Sequence, residues 1–566
     1  MKALNLMFMT FISVSLLSQD IKTAEVKVFE GFIPKIPESE KIKETTFFID
    51  TTKIDKTQEY KFINKKMNIS FNSRPLKPAK ISGEKLFDNK KSSIIFGFGS
   101  NSITSNVSYS DLSKHSFSYG LRFNQKNSKY RVNYEDLTKD YDIFKNSLVY
   151  LNVFGQMIGK DNIFTGNVEY ERKTSNYIDD FSRNSECNDY NLNVFSYSKF
   201  GFGVISKELS DAKLKHKTNF FVSNLNEFLE NQLHLSTILR KHVSGYPIKV
   251  RLEFNDYINY NNNIFVSNIT KTELTEFSIS PSAMLKKYGL DFNFGAYIYY
   301  QTDDLKNNSF NFLPQLDISK HLVRDIVFIN GGVRSKRIRN TIKSLSDENP
   351  LISGLGINKY DIQNNYNSFD LQTTDIKNEL YLGMVNVLGN DELFDGNISF
   401  GRISNMPLFN WVDLGSNGRF VSSYIDVWRT QINLNYSWQI NELVAVNATT
   451  NYFIYDTLIS NKENFNLNSG FSLNLDNKIK VNTSLSYLGE RKSFQFYEEN
   501  DIFQENLGEY YLLNPQIHLN IKFDYNYSNY FSGYLKINNI FNSKQEMWQG
   551  YREMGINAWA GISYSF

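Results

Sequence analysis

Hydrophobic residues in this chain fall on alternate positions, in short runs separated by clusters of Asn, Asp, Gly, Ser and Lys. Across 464–475, Phe465, Leu467, Phe471, Leu473 and Leu475 stand against Asn464, Asn466, Asn468, Gly470, Ser472 and Asn474. Across 431–438, Ile432, Leu434, Tyr436 and Trp438 stand against Gln431, Asn433, Asn435 and Ser437. The runs at 479–487 and 290–298 repeat the pattern, and so does the last stretch, where Ala558, Ala560, Ile562, Tyr564 and Phe566 share one face. Successive side chains of a strand point to opposite faces, so each run predicts a strand with one apolar and one polar side. None of the four internal runs has a 3.6-residue period, which argues against amphipathic helices there. A soluble sandwich could carry the same alternation. Its recurrence from Lys91 to the C-terminus, and what stands at the N-terminus, favour another architecture.

The connections alternate in length. Counted back from Phe566, Asn542–Arg552, Gly489–Gly508, Asn405–Val421 and Ile338–Leu371 are long, whereas Asp476-Asn477, Ile440-Asn441 and Lys286-Lys287 are tight. Outer-membrane barrels have long external loops and short periplasmic turns. The expected fold is therefore all-β: a large transmembrane antiparallel β-barrel over 91–566, of about 22 strands within a range of about 16–22. Phe200–Lys213 fits badly, being long where a short turn is due, and suggests an extra hairpin. Pro281, Pro314 and Pro515 fall in descending strands, where proline is expected at bulges or outside the paired band.

The N-terminus, MKALNLMFMTFISVSLLSQD, has a basic residue and then an apolar run, the layout of a secretory signal peptide. Residues 1–24 are read as that signal, with cleavage after Ser18 or Ala24. Residues 25–90, Lys/Glu-rich with Pro34, Pro37, Pro75 and Pro78, are read as a periplasmic segment or tether. No later stretch is apolar for the ~18 residues that a spanning helix needs. A closed barrel is the other way to cross a bilayer, because closure pairs every backbone group.

Composition narrows the chemistry. The formal charge is +2 from 62 basic and 60 acidic residues, which gives no electrostatic case for nucleic acid. A single cysteine, Cys187, excludes an internal disulfide and any Cys-x-x-Cys site. No HExxH or Walker loop occurs, and the six histidines show no metal-ligand spacing. The acidic groups at Asp303-Asp304 and Asp391-Glu392 lack the spacing of an EF-hand. No catalytic, metal or cofactor residues are therefore assigned, and no enzyme activity is expected. The densest basic run, Arg334, Lys336, Arg337 and Arg339, lies at the base of the longest loop. It is the candidate contact for an anionic solute or for lipopolysaccharide phosphates.

The last residues, KINNIFNSKQEMWQGYREMGINAWAGISYSF, resemble the C-terminal end of TonB-dependent outer-membrane receptors. The matching positions are Asn539, Ile540, Phe541, Asn542, Trp548, Gly550, Tyr551, Gly555 and Phe566; the departure is at Arg552–Ile556. The resemblance implies an outer-membrane location in a Gram-negative-type bacterium. Ile562, Tyr564 and Phe566 are expected to form the C-terminal signal read by the barrel-assembly machinery. Outer-membrane lipid and lipopolysaccharide are the expected surroundings, and a periplasmic or surface lipoprotein is a candidate partner. The family also carries an N-terminal plug domain, and the roughly 65 residues between signal and first strand are too few for one of usual domain size. Two functions follow. One is solute uptake through a wet lumen, with loops Ile338–Leu371, Asn405–Val421 and Gly489–Gly508 folding in as constrictions. The other is a non-transporting scaffold or accessory subunit of an assembly, secretion or envelope complex.

Overall fold

A computed structural model describes residues 91–566 except 112–115, 133–141, 178–191, 209–213, 226–229, 262–269, 304–307, 353–370, 390, 413–418 and 500–501. The expected signal peptide and the 25–90 segment lie outside the described residues. The alternating runs are strands, each antiparallel to the next, from β1 (Ser92–Gly99) through β19 (Ile479–Leu488). The ring continues through β22 (Gln516–Asn526), β23 (Phe531–Asn538) and β26 (Asn557–Ser565), which pairs back onto β1. The closed barrel has 22 strands, the expected number. The hairpin β20 (Arg491–Glu499) and β21 (Ile502–Leu513) stands outside the ring; it starts within what reads in sequence as the long loop Gly489–Gly508 and runs five residues past it. It joins the sheet through Trp411 and Val412 of β15 (Glu392–Val412).

Faces sort as the alternation requires. On β16 (Arg419–Gln439) the lipid side runs from Trp428 to Trp438 through Ile432, Leu434 and Tyr436. That is about ten residues, the length a tilted strand needs to cross the bilayer, with an indole at each boundary. On β10 (Thr270–Lys287), Phe277 is 48% exposed to lipid while its neighbour Ser278, facing the lumen, is 2% exposed. Among the described residues no helix is long and apolar enough to span a membrane.

The short turns gather at one end. Ser244-Gly245, Tyr288-Gly289 and Asp476-Asn477 all have positive φ at both residues, the geometry of two-residue hairpin turns whose twist matches the strands. The Lys286-Lys287 turn therefore lies two residues later than its sequence position suggested. Among the described residues of Phe200–Lys213 there is no extra hairpin. Phe200–Ser206 is the end of β6 (Leu192–Ser206), paired on both sides with β5 (Asn162–Asn176) and β7 (Lys215–Leu225). In the barrel Gly201 and Gly203 make room for the side chains of Asn167, Thr165 and Asn219 on neighbouring strands. Pro515 precedes β22, outside the paired band, and the β10–β11 ladder skips Ser280 and Pro281, where β11 is Leu290–Asp303.

The seam closes with no room to spare. Gly561 of β26 lies opposite Gly97 of β1, and a Cβ on Gly561 would run into the Tyr534 ring and the carbonyl oxygen of Phe96. Ile562, Tyr564 and Phe566 line the lipid face of this strand, each about half exposed. Overpacking costs about 1–3 kcal/mol where the neighbour is backbone and cannot move away. Gly561→Val should therefore lower the yield of the folded, heat-modifiable form on cold SDS gels. Gly533→Ala, whose Cβ meets only ordinary contacts, should fold like the wild type.

Candidate functional site in the lumen

A barrel of this width has a bore that side chains alone cannot fill. The chain fills the outer end by folding its own wall inward. β13 (Val327–Arg339) pairs with β12 (Ser309–Val323) only as far as Val333, opposite Leu316. Beyond that point it pairs with β14 (Thr373–Val387) alone. Three adjacent strands are irregular at this height: β13 between Arg334 and Lys336, β14 between Lys377 and Leu380, and β15 between Ile403 and Met406. A bulge puts an unpaired residue in one strand and bends it. Asn378 and Asn405 take positive φ there, a conformation that asparagine tolerates. The Asn378 amide donates to Ser335 Oγ at 3.1 Å, and Thr374 Oγ1 donates to the Asn405 carbonyl at 2.7 Å. Three bulges abreast make a crease, and the sheet outside it leans over the bore. Ile376, Ile403, Met406 and Val427 pack as a small apolar cluster at its foot.

The position of Arg337 shows where the arm goes. Its Nε donates to Glu276 of β10 at 2.6 Å, its Nη1 to both Asp375 oxygens at 3.1 Å, and its Nη2 to Gln301 of β11. The guanidinium lies 3.8 Å over the ring of Tyr299, whose hydroxyl donates to Asp375 at 3.2 Å. Glu276, Tyr299 and Gln301 belong to the lumen face three and two strands away, so β13 has crossed inside the wall. The Arg337 side chain is only 5% exposed. Arg334 donates to Glu379 at 2.7 Å, and Arg429 lies 3.5 Å from the same carboxylate. The two groups together set three arginines against three carboxylates. Arg339 donates to Thr373 Oγ1 at 3.1 Å and stands over Tyr257. Of the basic run singled out in the sequence, Arg334, Arg337 and Arg339 thus face the lumen, and Lys336 is exposed on the opposite face of the arm.

Past the arm, the chain crosses the bore. Helix α1 (Ile342–Glu348) starts with a capping box between Thr341 and Ser344. Its first turn is received by Glu230, which accepts from the amides of Ile342 (2.6 Å) and Lys343 (3.4 Å). A carboxylate is favourable at that end of the helix dipole. Lys343 binds Asp347 at 2.6 Å and Glu171 at 2.9 Å. Burial pulls its pKa down, but these two carboxylates outweigh burial, and the ammonium is held above its usual value. Asn193 donates to the carbonyls of Pro350 (2.9 Å) and Ile352 (3.0 Å), and Tyr177 donates to Ile352 at 3.2 Å. On the other flank Lys462 pairs with Glu348, and Ile352 bridges to Phe420. Residues 340–352 therefore form a strut tied to the walls of β5, β6 and β8 (Glu230–Val243) on one side and of β16 on the other.

An apolar seal surrounds the strut. Leu345, Leu351 and Ile352 pack against Phe195, Phe409 and Phe420. The last external hairpin, β24 (Glu546–Trp548) and β25 (Tyr551–Arg552), adds Trp548, set edge-on to Phe409 at 5.5 Å and Phe420 at 5.2 Å, and the buried Tyr551. The C-terminal sequence motif builds this hairpin. Asn539 (φ 51°) binds the carbonyls of Ser543 and Met554, Asn542 accepts from the Ile556 amide, and Gly550 turns the hairpin at φ 80°. A side chain at Gly555 would collide with Asn542, while Phe541 is exposed. Arg491 locks the hairpin by donating to the carbonyls of Met547 and Glu546. Among the described residues no group of three His, Cys, Asp or Glu is placed to hold a metal.

Sequence reasoning reached the loop that begins at Ile338 but read Asn405–Val412, which is the end of β15, as loop, and it missed the crease and the helix. The traces they left were Asn378 and Asn405 within strands and the Thr341-x-x-Ser344 pair.

No protein-family model matches the sequence, and no curated protein matches it. Solved structures do. The FrpB iron transporter from Neisseria meningitidis is 10% identical with a TM-score of 0.63, over 85% of this chain and 82% of that one. A mutant of the ferric enterobactin receptor PfeA from Pseudomonas aeruginosa is 10% identical with a TM-score of 0.58, over 84% of this chain and 80% of that one. The closed form of the ferric-catecholate import receptor Fiu from E. coli is 10% identical with a TM-score of 0.58, over 84% and 82%. In fold the chain is a closed 22-strand antiparallel β-barrel like those of TonB-dependent receptors.

Removing one partner from a buried ionic cluster costs about 3–5 kcal/mol, because the remaining charges stay desolvated. Arg337→Leu should therefore loosen the arm without opening the barrel. Limited trypsin digestion should cut between Arg334 and Lys343 much faster than in the wild type, while the strands below the crease stay protected.

Proposed function

We propose that the chain carries a solute across the outer membrane through a lumen that its own strut keeps shut. The observation that carries this reading is the contrast between the two halves of the bore. The outer end is sealed by residues 340–352 and the apolar cluster around them. The wall below is hydrophilic, with side-chain amides linked across strands. Asn435 donates to Asn433 (2.8 Å), Asn433 to Asn451 (2.7 Å) and Asn451 to Asn466 (2.9 Å). A wet wall beneath a dry seal suits a gated path. The strut is held by the apolar packing of Leu345, Leu351 and Ile352 and by hydrogen bonds and ion pairs to the wall, and these polar ties are ones that water or a ligand can replace. The structural neighbours named as an iron transporter and as an import receptor support uptake over a scaffold role.

The test is conductance of the purified protein in planar bilayers. A buried, unpaired carboxylate costs several kcal/mol, and about 3 kcal/mol shifts a closed-to-open ratio by roughly 100-fold. Wild type should be almost silent, and Leu345→Asp or Ile352→Asp should open steady conductance steps in a barrel that remains heat-modifiable. A wild type that conducts freely contradicts the gate. Folded variants that stay silent, together with co-purification of a stoichiometric envelope partner, would turn the assignment to the scaffold.

A further inference from the structure

The lumen charges are not evenly matched. Near the strut, Arg334, Arg337, Arg429, Lys173 and Lys343 each have a carboxylate partner. Lower down, toward the short-turn end, the wall of β7, β8 and β9 (Tyr246–Asn261) carries Lys215, Lys217, Arg240, Lys249 and Arg251. Their side is fixed by parity. Val222, Leu235 and Phe254 are on the lipid face of these strands, whereas Ser236 and Asn255, of the opposite parity, are buried on the lumen side. All five basic residues share the lumen parity.

The register makes them neighbours. Lys215 is opposite Arg240, and Arg240 is opposite Lys249, so three cations stand in one row across three strands. In the next row Lys217 and Arg251 flank Ile238. Like charges directly opposed in an antiparallel pair are destabilising. Arg251 has one carboxylate at 3.6 Å, Glu253, and Lys215 turns to the carbonyls of Lys207 and Glu208. Lys217, Arg240 and Lys249 are in no salt bridge among the described residues. An anion bridging Lys217, Arg240 and Lys249 would relieve their mutual repulsion, in a low-dielectric-walled cleft that focuses the field.

We infer that these rows form an anion-binding step in the periplasmic half of the lumen, for a small solute bearing two or more phosphate or carboxylate charges. The inference rests on the uptake reading only in taking that anion to be the cargo; the site itself does not need it.

Pyrophosphate serves as the probe, titrated calorimetrically into the full-length protein in a neutral maltoside. Wild type should bind it saturably, with affinity falling as salt rises. The triple variant Lys217→Gln, Arg240→Gln, Lys249→Gln should bind at least about tenfold more weakly, and Arg240→Lys, which keeps the charge, should bind nearly as wild type. These solvated positions can lose charge without unfolding the barrel, which cold SDS gels would verify. No binding by wild type, or equal binding by the triple variant, overturns the inference. Bilayers separate it from the uptake reading. If Leu345→Asp opens a pore whose reversal potential in a KCl gradient is anion-selective, and the triple substitution removes that selectivity, the inference stands. An open pore whose reversal potential ignores the triple substitution overturns it and leaves uptake intact. Charge-dependent pyrophosphate binding in a protein whose gate variants stay silent supports the anion site while uptake falls.

Discussion

Every backbone amide and carbonyl inside a bilayer must find its partner within the protein, and that demand governs this molecule. It forces β26 back onto β1 and so turns 22 amphipathic strands into a cylinder. Closure at that strand number fixes a bore wider than wall side chains can occupy. The rest of the structure is a response to that bore. Small residues at the seam, Gly97 and Gly561, let the first and last strands approach, and residues 340–352 with the β24–β25 hairpin close the outer end.

The closure of the lumen is made from the wall itself. A crease of three bulges redirects β13, β14 and β15 toward the bore. This solution is compact because the arm keeps its β14 ladder, so its backbone stays paired while it leaves the barrel. Only β12 loses a neighbour, above Leu316, and Pro314 stands just beyond that point on the strand with one fewer donor to satisfy. The inward-pointing arginines would be prohibitive alone. Glu276, Asp375 and Glu379 make them tolerable, and the fixed fork of each guanidinium turns charge balance into a definite position for the arm.

The outer end is thus dry and charge-matched, while the periplasmic half is amide-lined and locally basic. Stability arguments account for the first condition. They do not account for the second, because directly opposed cations on β7, β8 and β9 weaken the sheet that carries them. The proposed anion site rests on that difference between the two halves.

Much was legible from the chain alone. Period-two alternation gave the strands, their number and the lipid and lumen faces, because a side-chain period of two admits only two orientations. Connection lengths gave the two ends, and the motif Asn539–Gly555 marked the last hairpin, because positive-φ Asn and Gly residues act locally. The stretch from Phe200 misled, since its pairing to Ser206 is with strands on either side and not with its own sequence neighbours. The inward fold of β13 could not be read in the same way. Arg337 meets Glu276, 61 positions away, and Ile352 meets Tyr177 and Phe420. Local sequence decides which way a side chain points from its own strand. Which carboxylate it meets depends on ring closure and on the angle of a crease, and those are set only when all the strands are in place.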